Sequence, residues 1–456
     1  MAGIGFELRK LLRTESYLGL LRAYTYASII SSGPWVFSII GLIAVGVLSL
    51  GVVTPDTLIT QFQVTVTYLI MASLILTGGL QLGFTRWVAD RLFEKRKDDI
   101  APAYFGVVLV TTAVSGSLGW LVALLGFDGV SNLYRVLIVV GLTLLSNLWI
   151  TTVFLSGLKQ YRAIVGLYAL GYGMSVLLSY FSRPWGLDGL LLGFLGGQFV
   201  MWVLMLWLVL RNFPVERPIS LACFRPRQMY LSLIAGGVLY NLGVWADKLT
   251  FWFTAGTSTP VIGPLRASTI YDLPVFLAYL CVIPGMGIFL VKFETDFVEW
   301  YDKFYTAVRE GGALQDIARY HDGMQGVVRE GLYQILKVQA LTLLAVYTFV
   351  PALFAWIGIS SLYIPLFLVQ AVAASFQVML LAVLNVFYYL DRRRDVVFIT
   401  ATLTVLNFAL SAVSIHLGPA FFGYGFGVAL LITLILGMLL LQRLFRKLEY
   451  QTFMLQ

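Results

Sequence analysis

Long runs of Leu, Ile, Val, Phe, Ala and Gly, punctuated by short clusters of Arg, Lys, Asp and Pro, dominate the pattern along the chain. The apolar residues come in blocks rather than alternating with polar ones, which excludes half-buried strands. About 20 apolar residues at 1.5 Å per residue cross a hydrocarbon core. Only a helix keeps every backbone N–H and C=O of such a segment satisfied in lipid. The pattern predicts twelve helices, six between 24–52 and 187–210 and six between 229–255 and 421–442. The expected fold class is all-α, a polytopic membrane protein with two six-helix bundles.

Composition sharpens this. Of the 456 residues 59% are hydrophobic and 12% charged, against about 25% charged in an ordinary soluble domain. The net charge of +8 matters less than where the charges fall. With the N-terminus in the cytoplasm, 27 of the 31 Lys and Arg residues lie on that side, leaving Arg135, Arg183, Lys248 and Arg266 for the outer side or the membrane. Such asymmetry follows the positive-inside rule and places both termini in the cytoplasm. Arg9, Lys10 and Arg13 precede a long apolar run without a small-residue cleavage site, so the first span is expected to stay as an anchor. The outer loops are short, leaving no room for an external catalytic domain. Cys223 and Cys281, like His321 and His416, are too far apart to suggest a disulfide framework or a metal site.

The spans divide into a lobe at 1–225 and a lobe at 226–456. Their entries echo each other, YASIISSG at Tyr26–Gly33 and YLSLIAGG at Tyr230–Gly237, as a parallel repeat would. In two-lobed transporters the substrate path runs between the lobes. The second lobe carries an insertion at about 292–332 with 5 basic and 8 acidic residues between Lys292 and Glu330. There Phe293, Phe297, Trp300 and Phe304 recur at helical spacing, predicting an amphipathic cytoplasmic helix. Its stripe either docks a partner protein or packs on the chain's own helix ends.

Chemistry concentrates in GGVLYNLGVWADKLTFWFT, residues 236–254, where Asp247 and Lys248 interrupt an apolar run. Each charge at mid-helix costs about 2.5–3.5 kcal/mol. Neighbouring helix positions point about 100° apart, so the two are not expected to pair well with each other. Asn241, Trp245 and Lys248 share one face, with Tyr240 one heptad before Asp247. Rings that stack on pyranose faces beside amides that bond hydroxyls suit a glycan path. The other reading is a structural ion pair that snorkels near the outer interface. Arg22, Gln198 and Asn385 are further path candidates. Arg22 suits a phosphate or headgroup, or simply snorkels. The amides, with Asn147, Gln370 and Gln377, either line a cavity or bond helix to helix. Pro34, Pro274 and Pro284 are expected to kink their helices, and Gly33, Gly236 and Gly237 to allow close packing.

No G-x-x-x-x-G-K-[ST], HExxH or GxSxG motif occurs, and no cluster of carboxylates resembles a proton relay. The residues thus describe a transporter without its own ATPase, with no cofactor and no nucleic-acid partner, rather than an enzyme. The opening MAGIGFELRKLL and the following LLRAYTYASIISSGPWVFSIIG resemble the PelG family of Pel exopolysaccharide transporters, in the MOP flippase superfamily. The resemblance covers the chain in architecture and is most specific at the N-terminus. It implies two six-helix bundles arranged as a V, and export of a polymer containing N-acetylgalactosamine and galactosamine for the biofilm matrix. It also implies membrane partners PelD, which binds cyclic di-GMP, and PelE, and the cytosolic glycosyltransferase PelF. Alternatives are a lipid-linked oligosaccharide flippase or cation-coupled multidrug exporter of the same superfamily. A membrane-embedded glycosyltransferase or polymerase, for which only the adjacent Asp98 and Asp99 speak, and a passive scaffold for the synthase stand further off.

Overall fold

The computed structural model describes residues 17–454 except 159, 214, 216–217 and 226–228, with side chains from Arg22 onward. The opening MAGIGFELRKLL and the cations Arg9, Lys10, Arg13, Lys159, Arg217 and Arg227 lie outside the described residues. The helices are α1 (Tyr17–Ser49), α2 (Thr57–Phe93), α3 (Ile100–Gly126), α4 (Asn132–Gly157), α5 (Tyr161–Ser182), α6 (Gly186–Asn212) and α7 (Leu231–Phe253). A hairpin of β1 (Thr259–Ile262) and β2 (Leu265–Ala267) follows. Then come α8 (Thr269–Tyr279), α9 (Ile283–Val291), α10 (Phe297–Glu310), α11 (Leu314–Ile357), α12 (Ile364–Tyr389), α13 (Arg393–Leu417) and α14 (Tyr424–Met454).

Ten helical stretches among the described residues are long and apolar enough to cross a membrane, against the twelve spans expected. One of them, Tyr161–Asn212, contains both α5 and α6. Helix α7 is not among the ten. Its adjacent Asp247 and Lys248 depress its hydropathy.

Two compact units divide the chain, and each takes residues from both halves of the sequence. One holds Gly33–Trp245 and Phe251–Thr269, hence α2 to α6, the rest of α1, most of α7 and the β-hairpin. Glycines set its packing. Gly189, Gly193 and Gly197 repeat every four residues along α6, and a β-carbon at any of them would run into the backbone of Ser182, Ser179 or Ser175 on α5. Those serines use the close approach: Ser175 Oγ donates to Phe194 O (2.9 Å), Ser179 Oγ to Leu190 O (3.1 Å) and Ser182 Oγ to Gly189 O (2.7 Å). Small residues let helix backbones meet in lipid, where no hydrophobic force drives helices together and close packing must do so. Gly237 of α7 likewise lies against the backbone of Gly78 on α2, as its size suggested.

The β-hairpin adds a small element to a reading that was all helix. Arg266 pins it, donating from Nε to Trp252 O (3.1 Å) and Ser258 Oγ (2.9 Å). Tyr68 OH donates to Arg266 O (2.9 Å), and its ring stacks on Trp252 at 4.5 Å. Arg135 and Arg183 also spend their guanidinium groups on backbone carbonyls, of Phe127 (2.8 Å) and Leu48 (2.5 Å).

The other unit comprises α1 as far as Ser32, Ala246–Thr250 of α7, and the chain from Ile270 onward. Gly287 of α9 lets α1 come close: a β-carbon there would meet Tyr24 O at 2.9 Å. Helix α11 has 44 residues and is therefore about 66 Å long, twice the hydrocarbon thickness. Its first half packs on α10. Its apolar second half exposes Leu341, Leu344, Tyr347, Phe349 and Trp356, a composition suited to lipid. It ends on Gly358, whose positive φ of 82° closes the last turn.

Candidate functional site: a buried charge pair on α7

Asp247 and Lys248 are 0% and 2% exposed, enclosed within the unit that holds α8 to α14. The Lys248 ammonium lies 3.3 Å from both carboxylate oxygens of Asp247. This corrects the expectation that adjacent helix positions do not pair. Their Cβ atoms diverge by about 100°, but the four-carbon lysine stem is long enough to bend back across that angle. Both charged groups are withdrawn from solvent in this structure.

The pair also has partners on other helices, as its burial demands. Tyr271 OH, on α8, donates to Asp247 Oδ2 at 2.7 Å and accepts from Gln370 Nε2, on α12, at 2.7 Å. Lys248 Nζ lies 5.4 Å from the ring centres of Tyr279 on α8 and Phe426 on α14, within cation–π range. Tyr279 OH in turn donates to Gln377 Oε1 on α12 at 3.1 Å. One carboxylate, one ammonium, two tyrosines, two glutamines and a phenylalanine thus tie α7, α8, α12 and α14 together. Gln370 and Gln377 act as interhelical hydrogen-bond partners here. Tyr271 and Tyr279 escaped the sequence reading, since a tyrosine in an apolar run looks like any aromatic core residue.

The family model for PelG, exopolysaccharide exporter (EPS-E), matches residues 1–453. The chain belongs to the PelG family. No curated protein sequence matches it. Solved structures share its fold. An outward-facing multidrug resistance MATE transporter of the MOP superfamily is 14% identical, with a TM-score of 0.69 over 97% of this chain and 98% of that one. A MOP superfamily transporter from Pyrococcus furiosus, described as having a binding pocket of reversed polarity, is 13% identical, with a TM-score of 0.65 over 94% and 96%. A MATE transporter in a straight conformation is 12% identical, with a TM-score of 0.65 over 93% and 96%. This PelG-family chain is accordingly a multi-pass membrane transporter with the MOP fold.

Asn241 and Trp245 belong to the unit that holds α2 to α6. Asn241 Nδ2 donates to Gly237 O at 2.9 Å on its own helix, and Trp245 tilts against Trp252 at 6.2 Å. Tyr240 is half-buried on α7 and Arg22 is exposed on α1. Gln198 is buried and donates to Ser175 Oγ at 3.1 Å, a bond between α6 and α5 rather than a cavity lining.

Asn385, on α12, bonds to a neighbouring element. Its Nδ2 donates to Glu294 Oε1 and Tyr389 OH donates to Glu294 Oε2, both at 2.8 Å. Glu294 sits in a π-helical turn, Lys292–Asp296, between α9 and α10. Lys292 on the same turn pairs with Asp296 (3.1 Å) and with Glu330 of α11 (3.2 Å). These contacts fix the point where the amphipathic hairpin leaves the bundle.

The hairpin's aromatic stripe packs on the chain itself, the second of the two readings the sequence leaves open. Phe293, Phe297 and Phe304 are fully buried. Phe297 meets Tyr389 at 5.7 Å, Phe304 meets His321 at 6.4 Å, and His321 lies 3.0 Å from Phe445 O of α14. A β-carbon at Gly331 would meet the Phe293 ring at 2.8 Å, so α11 is shaped to receive it. An amphipathic helix beside apolar helix ends buries its stripe there first. Trp300 alone is half-buried, at the edge of a groove of about 750 Å³ with Gly323, Val327, Arg329, Glu330 and Tyr333.

Proposed function

We propose that this chain exports the Pel polysaccharide from cytoplasm to periplasm across the bacterial inner membrane, in step with synthesis by a cytosolic glycosyltransferase. The observation that carries this reading is the exopolysaccharide-exporter family match over residues 1–453. The placement of 27 of 31 basic residues on one side supports the cytoplasmic termini. The scarcity of cations within the spans fits a glycan better than a lipid pyrophosphate, which calls for uncompensated cations. PelD, PelE and PelF are the partners this reading requires. With the phenylalanine stripe buried, their contacts fall on the outward face of the α10–α11 hairpin.

A second reading, multidrug export, has the MATE-like fold in its favour. Deleting the gene from its own host and restoring it separates the two. Loss of secreted polymer with unchanged drug susceptibility, reversed by the wild-type chain, is the expected result. Unchanged secretion together with drug hypersensitivity would overturn the polysaccharide reading.

A further inference from the structure

We infer that the Asp247 site is a monovalent-cation site occupied by the chain's own lysine. A buried carboxylate that accepts a hydrogen bond from Tyr271 and faces the rings of Tyr279 and Phe426 offers what a small cation needs: negative charge, a fixed dipole and two electron-rich faces. The Lys248 ammonium sits in that position, 3.3 Å from each oxygen. An ammonium tethered through the backbone cannot leave, so its effective concentration at the carboxylate excludes sodium, potassium and protons. Exporters coupled to a cation gradient need a carboxylate that exchanges its counter-ion. This one does not, so the inference, which rests on the export reading, deepens it by removing Asp247 from any coupling to a cation gradient.

The chemistry of the site predicts what happens when the ammonium is removed. Lys248→Met keeps the volume and leaves Asp247 buried and uncompensated, so the carboxylate must take a free cation or a proton. Titratable groups in contact with the pair include Tyr271 and Tyr279 on α8; Gln370 of α12 and Phe426 of α14 do not titrate. A buried carboxyl without a counter-charge costs less when it is protonated, so the variant's stability increases as pH falls. A cation that binds only the folded state raises the melting midpoint by mass action.

The experiment measures melting midpoints of the purified full chain in detergent, in sodium, potassium or choline chloride at equal ionic strength, from pH 5 to 8. The wild type is expected to melt at the same temperature in all three salts. Lys248→Met is expected to melt lower in choline, and to regain about 2 °C or more in sodium or potassium, or at low pH. Asp247→Asn combined with Lys248→Met is expected to fold and to ignore both salt and pH. If the single variant does not fold, folding of the double variant still shows that the amine serves to compensate the carboxylate. The inference is overturned by a wild type that sodium stabilises selectively, by a Lys248→Met chain indifferent to cation and pH, or by a double variant that fails to fold. None of these readouts involves secretion, so failure here leaves the export reading standing.

Discussion

A lysine that reaches back to the aspartate preceding it changes the energetics of carrying charge in α7. Two separate charges at mid-membrane cost about 2.5–3.5 kcal/mol each, whereas a hydrogen-bonded pair recovers much of that through Coulomb attraction at low dielectric. Breaking such a pair from one side costs more than the pair contributes, because the survivor stays buried. Asp247→Asn is therefore expected to destabilise the folded chain by about 3–5 kcal/mol, measured by denaturation in detergent. Tyr271→Phe strands Gln370 Nε2 and removes one bond from Asp247, with an expected loss of about 1–3 kcal/mol. If either variant unfolds at the wild-type denaturant concentration, the network carries no stability. The identity of the charged residues was legible in the sequence, and so was their need for partners. Their mutual pairing was not, because it depends on a side-chain torsion that a helical wheel ignores. Tyr271 was also invisible, since nothing in an apolar run marks which tyrosine turns its hydroxyl inward.

At the scale of single elements, packing distance decides which glycines matter. Gly193 meets the backbone of Ser179, whereas Gly173 on α5 has nothing within 4 Å of where its β-carbon would lie. Gly193→Leu is expected to abolish accumulation of folded protein, while Gly173→Leu leaves it within about twofold of wild type. Equal levels of both in membranes would refute the close-packing account of α5 and α6. The segment joining α6 to α7 is also held: Ser220 N donates to Pro102 O of α3 at 2.9 Å, and Cys223 is buried beneath it. Burial pushes the Cys223 thiol up to about 11, so little thiolate forms at neutral pH. Slow maleimide labelling of Cys223 in the folded chain, made fast by denaturant, is the expected outcome; rapid labelling of the native protein would mean the segment is not docked. The helices themselves were legible from their length and hydropathy. The glycine repeat along α6 was present in the sequence as GLLLGFLGG, but only a partner helix with serines in register shows that it is an interface. The amphipathic hairpin was likewise legible, while its orientation was not, because an aromatic stripe at helical spacing has the same pattern whether it meets a partner or its own bundle.

For the whole molecule, the charge distribution predicts a single topology. Cysteines introduced at Lys97, Gly311 and Arg392 should react with impermeant maleimide only once the cytoplasm is opened, and those at Gly129, Gly256 and Gly358 from the periplasm of intact cells. A mixed pattern would overturn the assigned orientation. The two compact units show how far sequence halves and folded units diverge. Ser28 of the first entry echo lies against Gly287 of α9, and Ile234 of the second lies against Gly79 of α2, so each unit takes in the opening of the other half's first helix. That exchange involves backbone approach between residues 150 to 260 positions apart, and a local pattern carries no record of it. What the sequence by itself determined is a membrane-embedded helical transporter: the bilayer imposes one length and one polarity on every span, and both are read directly from the chain. The family resemblance at its N-terminus pointed to the same conclusion. Only the tertiary structure decided which polar groups meet. Inside the membrane a buried group is satisfied by whichever helix folding brings beside it, and that neighbour is set by packing rather than by proximity in sequence.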